Sequence, residues 1–243
     1  MNWRRLRAAA GRSLARFRST GQWQRQLDSA KSHWLNEPPT NCPNAPLIYQ
    51  SALPPTWHRI LEFGANTGGN LTYFLDRHPD LQTIGIDINP IVKEPERRHA
   101  GYRGIVGDER ALREWNRNEF DLAFTISVLD HIPSPEAAKQ ILERLIEISR
   151  QVVLLEPIIP GVHGDVSGKT RAEVARDLPN PHKRFAAHCY VWDYPRWLDR
   201  MHVSWTSVRQ PLHAASLGPF YHLFRITKSG NGDLRTTRSD VTG

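Results

Sequence analysis

The stretch Leu61-Glu62-Phe63-Gly64-Ala65-Asn66-Thr67-Gly68-Gly69-Asn70-Leu71 constrains this chain more than any other. An apolar run stops on glycines and resumes with helical spacing, so it reads as a strand, a sharp turn and a helix. Glycine permits such a turn and lets a ligand approach the main chain closely. The first amides of the following helix bring free donors and partial positive charge, which favour an anion. Because a glycine turn also occurs where strand and helix merely pack together, a second feature has to decide. It comes about 20 residues later, where Ile84-Gly85-Ile86-Asp87-Ile88-Asn89 ends an apolar run on an acid that can accept from both hydroxyls of a ribose. Alone, Asp87 would serve equally as a helix cap. Turn and acid together specify a nucleoside-containing ligand.

The surrounding pattern alternates between the two periods. Strands are expected at Arg59–Phe63, Gln82–Ile86, Tyr102–Val106, Phe120–Ile126 and Gln151–Glu156. Helices are expected at Gly69–Arg77, over Pro90–His99 with an interruption at Pro95, and around Glu109–Arg117. Ser134 and Pro135 make an N-cap and first-turn pair for a further helix to Ser149, with Ala138, Ile141, Leu142, Leu145 and Ile148 facing inward. Strands alternating with helices indicate an α/β fold, a doubly wound and mostly parallel sheet, and the near-continuous apolar runs suit strands covered on both faces. A helix near Tyr194–Met201 then leads into two last strands, His202–Arg209 and Tyr221–Thr227.

Outside that body the composition shifts. Residues 1–27 hold seven arginines and no acid or lysine, with Trp3, Leu6, Ala10, Leu14 and Phe17 at helical steps. Setting those seven aside from 32 Lys and Arg leaves as many bases as the 25 Asp and Glu, so the formal +7 belongs to the arm. By charge the body is no nucleic-acid binder. The arm is a basic helical extension that suits packing on the body or peripheral contact with an anionic membrane surface. Residues 36–56 contain six prolines, which discourage continuous helix or sheet, and read as a linker lying over the body. The expected organisation is an arm and linker over 1–57, a ligand-binding domain over 58–227 and a disordered tail over 228–243. No run of about 18 apolar residues occurs. Cys42 and Cys189 stand far apart, which fits a reducing compartment and a cytoplasmic location.

At this point the sequence resembles the class I S-adenosylmethionine-dependent methyltransferases, over about residues 58–156 with weaker support to 227. Glu62-Phe63-Gly64-Ala65-Asn66-Thr67-Gly68 is similar to that family's first motif, with Asn66 where its middle glycine stands. Phe120-Asp121-Leu122-Ala123-Phe124-Thr125-Ile126-Ser127-Val128-Leu129-Asp130-His131-Ile132-Pro133 resembles the motif of its fourth strand, and Gly107-Asp108 resembles its adenine-side acid. The resemblance implies a Rossmann-like, seven-stranded sheet and S-adenosylmethionine as cofactor. It implies that the Gly64–Gly68 loop receives the methionine carboxylate, Glu62 the ammonium, Asp87 the ribose and Asp108 the adenine amino group. Ser127 would lie against the methionine moiety.

Methyl transfer from a sulfonium needs alignment, exclusion of water and, for a hydroxyl acceptor, a base. Such a base belongs beyond the fourth and fifth strands or in a covering segment. His131 and His188 are the candidates. His188 falls in residues 157–191, a stretch too long for an idle connection and suited to a substrate lid. His163, His182 and His188 lack compact metal-ligand spacing, so no metal is expected. The acceptor is expected to be a small molecule or glycan, methylated on oxygen or nitrogen. Two rivals share the glycine turn: a nicotinamide-dependent oxidoreductase and a methyltransferase-like binding protein without turnover.

Overall fold

The computed structural model describes residues 44–52, 57–176, 178, 180, 182–185, 188–209 and 220–228. The expectations for the arm, for most of the linker and for the tail beyond Lys228 lie outside these residues.

A seven-stranded sheet forms the centre. Its parallel strands are β1 (Arg59–Phe63), β2 (Gln82–Asp87), β3 (Tyr102–Val106), β4 (Phe120–Ile126) and β5 (Ser149–Pro157). Counting the short pair β6 (Gly164–Asp165) and β7 (Tyr190–Val191), the last two strands of the sheet are β8 (Val203–Arg209) and β9 (Tyr221–Lys228). The order is β3-β2-β1-β4-β5-β9-β8, with β9 antiparallel to both its neighbours. Strand order therefore reverses between β1 and β4, the switch point where an open α/β sheet leaves a crevice at its carboxyl edge.

Alternate side chains of each strand enter opposite layers. In β5, Val153 and Leu155 join the cluster containing Ile48, Leu71, Phe74 and Phe124. Val152 and Leu154 join the cluster containing Leu61, Ile86, Leu142 and Leu145. Helices cover both faces, including α1 (Ala45–Ser51), α2 (Gly69–Leu75) and α3 (Pro135–Ile148). Ser134 caps α3 by accepting from the Ala137 amide at 3.2 Å, as its sequence position implies.

The structure corrects several expected elements. Proline does not prevent a helix at 45–51: Pro46 sits in the first turn, where its missing amide costs nothing, and Ile48 and Ala52 are fully buried. The segments Pro90–Arg97 and Glu109–Glu114 are 3-10 rather than α. In the first, Pro95 removes a donor that an α-helix would need. Lys228 belongs to β9 and not to the tail, because its ammonium donates to the Glu147 carbonyl at 2.9 Å and to Asn118 Oδ1. Among the described residues, no helix is long and apolar enough to cross a membrane.

Candidate active site

Five of the expected ligand-binding residues meet at the carboxyl ends of β1 and β2. Gly64 and Gly68 both adopt left-handed backbone, with φ of 80° and 70°. The Gly64 and Ala65 amides donate to the Ile86 carbonyl at 2.8 and 3.0 Å, which fastens the turn to β2. A Cβ on Gly64 would run into Val128 Cγ2, and one on Gly68 would stand 2.5 Å from the Tyr102 hydroxyl. Asn66 has φ 46°, a conformation that asparagine tolerates better than most residues, so it fills its glycine-like position without breaking the turn.

Asp87 is tied into the same turn. One of its carboxylate oxygens accepts from the Asn66 amide at 2.7 Å and the other from the Asn89 amide at 2.8 Å. A carboxylate has about four acceptor positions, so capacity remains for hydroxyl donors. Burial raises the Asp87 pKa although backbone hydrogen bonds from Asn89, Asn66 and Ile88 oppose it.

Glu62 is fully buried, and burial pushes its carboxyl well above the ordinary value, against the hydrogen bond from Asn70 and with the charge of Asp87. Asn70 Nδ2 donates to Glu62 Oε1 at 2.6 Å, whereas Glu62 Oε2, Asn66 Oδ1 and Asn70 Oδ1 are buried with no partner. Orphaned buried oxygens are costly, and three around one glycine turn fit a bound group that brings N–H or O–H donors. The ammonium of S-adenosylmethionine is such a donor, so the residues present fit this cofactor.

Asp108 caps the 3-10 segment Glu109–Glu114 that follows β3. It accepts from the Arg110 amide at 3.1 Å and forms a two-pronged pair with the Arg110 guanidinium, both contacts at 2.8 Å. That pair raises the Arg110 pKa, chiefly through the hydrogen bond and then through the charge of Asp108.

A second group gathers beyond β4 and β5. Ser127, with φ 51°, is held by its amide on the Leu155 carbonyl at 2.9 Å. Its hydroxyl lies 2.8 Å from that of Tyr221 and 3.2 Å from Asp130 Oδ2, and Tyr221 donates to the same Asp130 oxygen at 3.1 Å. Glu156 is fully buried and accepts from the amides of Val128, Leu129 and Asp130 at 3.1, 3.1 and 3.2 Å, which fixes the turn after β4. Burial, followed by the charge of Asp130, pushes the Glu156 carboxyl well above its ordinary value.

The two histidine candidates meet through a backbone. His131 Nδ1 donates to the His188 carbonyl at 2.8 Å, and its Nε2 is 3.6 Å from Asp130 Oδ1. Residues 157–191 fold back on themselves at this point. β6 pairs with β7, the Val166 amide donates to the Cys189 carbonyl at 2.9 Å, and the short helix α4 (Arg171–Val174) carries a capping box between Thr170 and Glu173. Sequence reading named neither Tyr221 nor Glu156 for this site. The one available signal was Glu156 itself, an acid closing an otherwise apolar strand.

Residues 61–150 match the family model described as "Methyltransferase domain". No curated protein sequence matches the chain. Among solved structures, 1,6-didemethyltoxoflavin-N1-methyltransferase of Burkholderia thailandensis, crystallised with 1,6-didemethyltoxoflavin and S-adenosylhomocysteine, superposes with a TM-score of 0.56 at 17% identity. That match covers 95% of this chain and 92% of the other. An O-methyltransferase family protein from the same organism matches with a TM-score of 0.52 at 12% identity, over 77% of this chain and 57% of its own. A phosphoethanolamine N-methyltransferase of Haemonchus contortus, bound to phosphomonomethylethanolamine and S-adenosylhomocysteine, gives 0.55 at 12% identity over 82% and 56%. The chain thus spans little more than half the length of the last two. The sheet order and the glycine turn are those of a Rossmann-like methyltransferase fold, and the family match over residues 61–150 marks a methyltransferase domain within it. Two of these solved structures hold S-adenosylhomocysteine, which is consistent with S-adenosylmethionine as the cofactor.

Proposed function

We propose that this protein transfers the methyl group of S-adenosylmethionine to an oxygen or nitrogen of a small-molecule acceptor, sugar hydroxyls among the candidates. The observation that carries the cofactor reading is Glu62, whose buried Oε2 has no partner and stands at the glycine turn. In this reading Glu62 meets the ammonium, the Gly64–Gly68 loop with Asn66 the carboxylate, and Asp87 the ribose. Ser127 lies against the methionine moiety. Asp108 reaches the adenine amino group once Arg110, a mostly exposed side chain, swings aside.

The cofactor supplies an already activated methyl group. The protein has to align the acceptor and exclude water, for which the folded segment 157–191 serves as lid. His131 and His188 remain the base candidates. Because a carbonyl only accepts, Nδ1 of His131 carries the proton, and the basic position of the neutral ring is Nε2 beside Asp130. The acceptor side is built around hydroxyl and carboxylate groups, which suits a proton-bearing nucleophile.

Calorimetry with S-adenosylhomocysteine and with NAD tests the reading. Micromolar binding of the former and none of the latter is expected, and the opposite pattern would replace methyl transfer by the oxidoreductase reading. A labelled-methyl screen against phenols, amines and sugars then separates an enzyme from a binding protein. Peripheral membrane contact through the arm is a separate proposal: replacing its seven arginines by glutamine in the full chain should abolish sedimentation with anionic liposomes.

A further inference from the structure

The hydroxyl of Ser127 points away from the glycine turn. In the sheet, β1 lies on one side of β4, whereas β5 and β9 lie on the other. Ser127 follows β4, yet its Oγ meets Tyr221 at the start of β9, across the end of β5. The side chain therefore marks the acceptor side of the crevice, while the neighbouring Val128 packs on the cofactor loop at Gly64.

Three contacts join Ser127, Tyr221 and Asp130, and only two protons are available to fill them when Asp130 is ionised. The shortest is Ser127 to Tyr221, and Tyr221 donates to Asp130. Tyr221 and Asp130 are 6% and 1% exposed, so neither hydroxyl nor carboxylate can turn to water, whereas Ser127 is only half-buried. In this triangle the Ser127 proton is held inward. What Ser127 offers to the crevice is lone pairs alone. Its left-handed backbone, sparsely populated for serine, is held in that position by the Leu155 carbonyl.

We propose that Tyr221 and Asp130 are positioning residues that turn the Ser127 hydroxyl into a fixed hydrogen-bond acceptor for the proton-bearing nucleophile of the methyl acceptor. The inference rests on the methyl-transfer reading and deepens it. The recognised class is an O–H or N–H group, and a carbon nucleophile without such a proton makes no use of the triangle. Glu156 supports the arrangement from below by holding the Asp130 amide at 3.2 Å.

A pair of cofactor analogues tests this without knowledge of the acceptor. Sinefungin has an amine-bearing carbon in place of the methylated sulfur, so its amine stands where the transferred methyl does and places a donor on the acceptor side; S-adenosylhomocysteine carries none. The wild-type protein should prefer sinefungin. That preference should fall about tenfold in Ser127→Ala, the loss of one hydrogen bond to a charged donor, and about threefold in Tyr221→Phe and Asp130→Asn, which leave Ser127 in place but free to turn. Taking the ratio of the two dissociation constants cancels any general damage to the site. A ratio that is unchanged in Ser127→Ala, or equal losses for both analogues in all three variants, would overturn the proposal while leaving the methyl-transfer reading intact. Should the wild type bind neither analogue, that reading falls and the proposal with it.

Discussion

The two halves of the crevice are built by different means. On the cofactor side, bonds join residues close in sequence: Glu62 to Asn70, 8 positions apart, and Asn66 to Asp87, 21 apart. They run largely through backbone amides and glycines. On the acceptor side, Tyr221 reaches Ser127 across 94 positions and Asp130 across 91, and His131 reaches His188 across 57. The first two run through the buried Tyr221 side chain of β9, and the third ends on a backbone carbonyl of the lid. One half is a local turn that any strand-turn-helix can carry; the other exists only once the whole sheet has formed.

That contrast predicts where damage is total and where it is selective. The largest effect is expected from Gly64→Ala. A Cβ there meets Val128 on a backbone with φ 80°, so strain and overpacking add to about 2–4 kcal/mol. Denaturant unfolding should show that loss together with the loss of S-adenosylhomocysteine binding; a stable, binding-competent variant would mean that Val128 yields freely. Asp87→Ala comes next. Removing a charged acceptor from the ribose should weaken S-adenosylhomocysteine by about 10- to 100-fold in calorimetry, with a smaller stability loss from the freed Asn66 and Asn89 amides. An unchanged affinity would leave Asp87 as a purely structural pin of the turn.

The same contrast explains what could be read in the sequence. Glu62, Gly64, Gly68 and Asp87 are legible because a turn and an acid at a set spacing express a local geometry. Asn66 is legible as a substitution but not in its consequence, since only its φ shows that it does the work of glycine. The strands followed from runs of apolar residues, even to the antiparallel partner at 221–227. Tyr221, by contrast, reads as one more residue of an apolar strand, and nothing in its neighbours says that its hydroxyl meets Ser127. Nor did spacing separate α from 3-10 helix at Pro90–Arg97 and Glu109–Glu114. There Pro95 and the Asp108 cap act within a single turn, below the period that sequence patterns resolve.

Glu156 allows the two halves to be compared by pH. The folded state holds the Glu156 proton more tightly than the unfolded chain does, mainly because burial penalises its charge. Glu62 behaves in the same sense for the same reason. From about the ordinary value of 4.5 upward, the unfolded chain ionises first and binds fewer protons than the fold, so stability should fall as pH rises toward the elevated folded values. Glu156→Gln should make that fall shallower. At pH 5 it should cost about 1 kcal/mol, for the amide bond to Asp130 that an amide nitrogen cannot accept. Thermal melts over a pH series check both statements, and a slope identical to wild type would assign the whole effect to the cofactor side, to Glu62 and Asp87.

The smallest effect is expected in the lid. Thr170 accepts from the Glu173 amide, while Glu173 accepts from the Thr170 amide, and this capping box starts α4 beside the bridge from Thr170 to Arg184. Thr170→Ala removes one half of the box, worth about 1 kcal/mol locally. Since α4 makes no part of the glycine turn, S-adenosylhomocysteine affinity should stay within about twofold. Limited proteolysis should instead cut residues 164–185 faster, because local opening follows local stability. A loss of cofactor affinity as large as that of Asp87→Ala would show that the lid and the cofactor turn close as one unit, and the division between a local half and a long-range half would not hold.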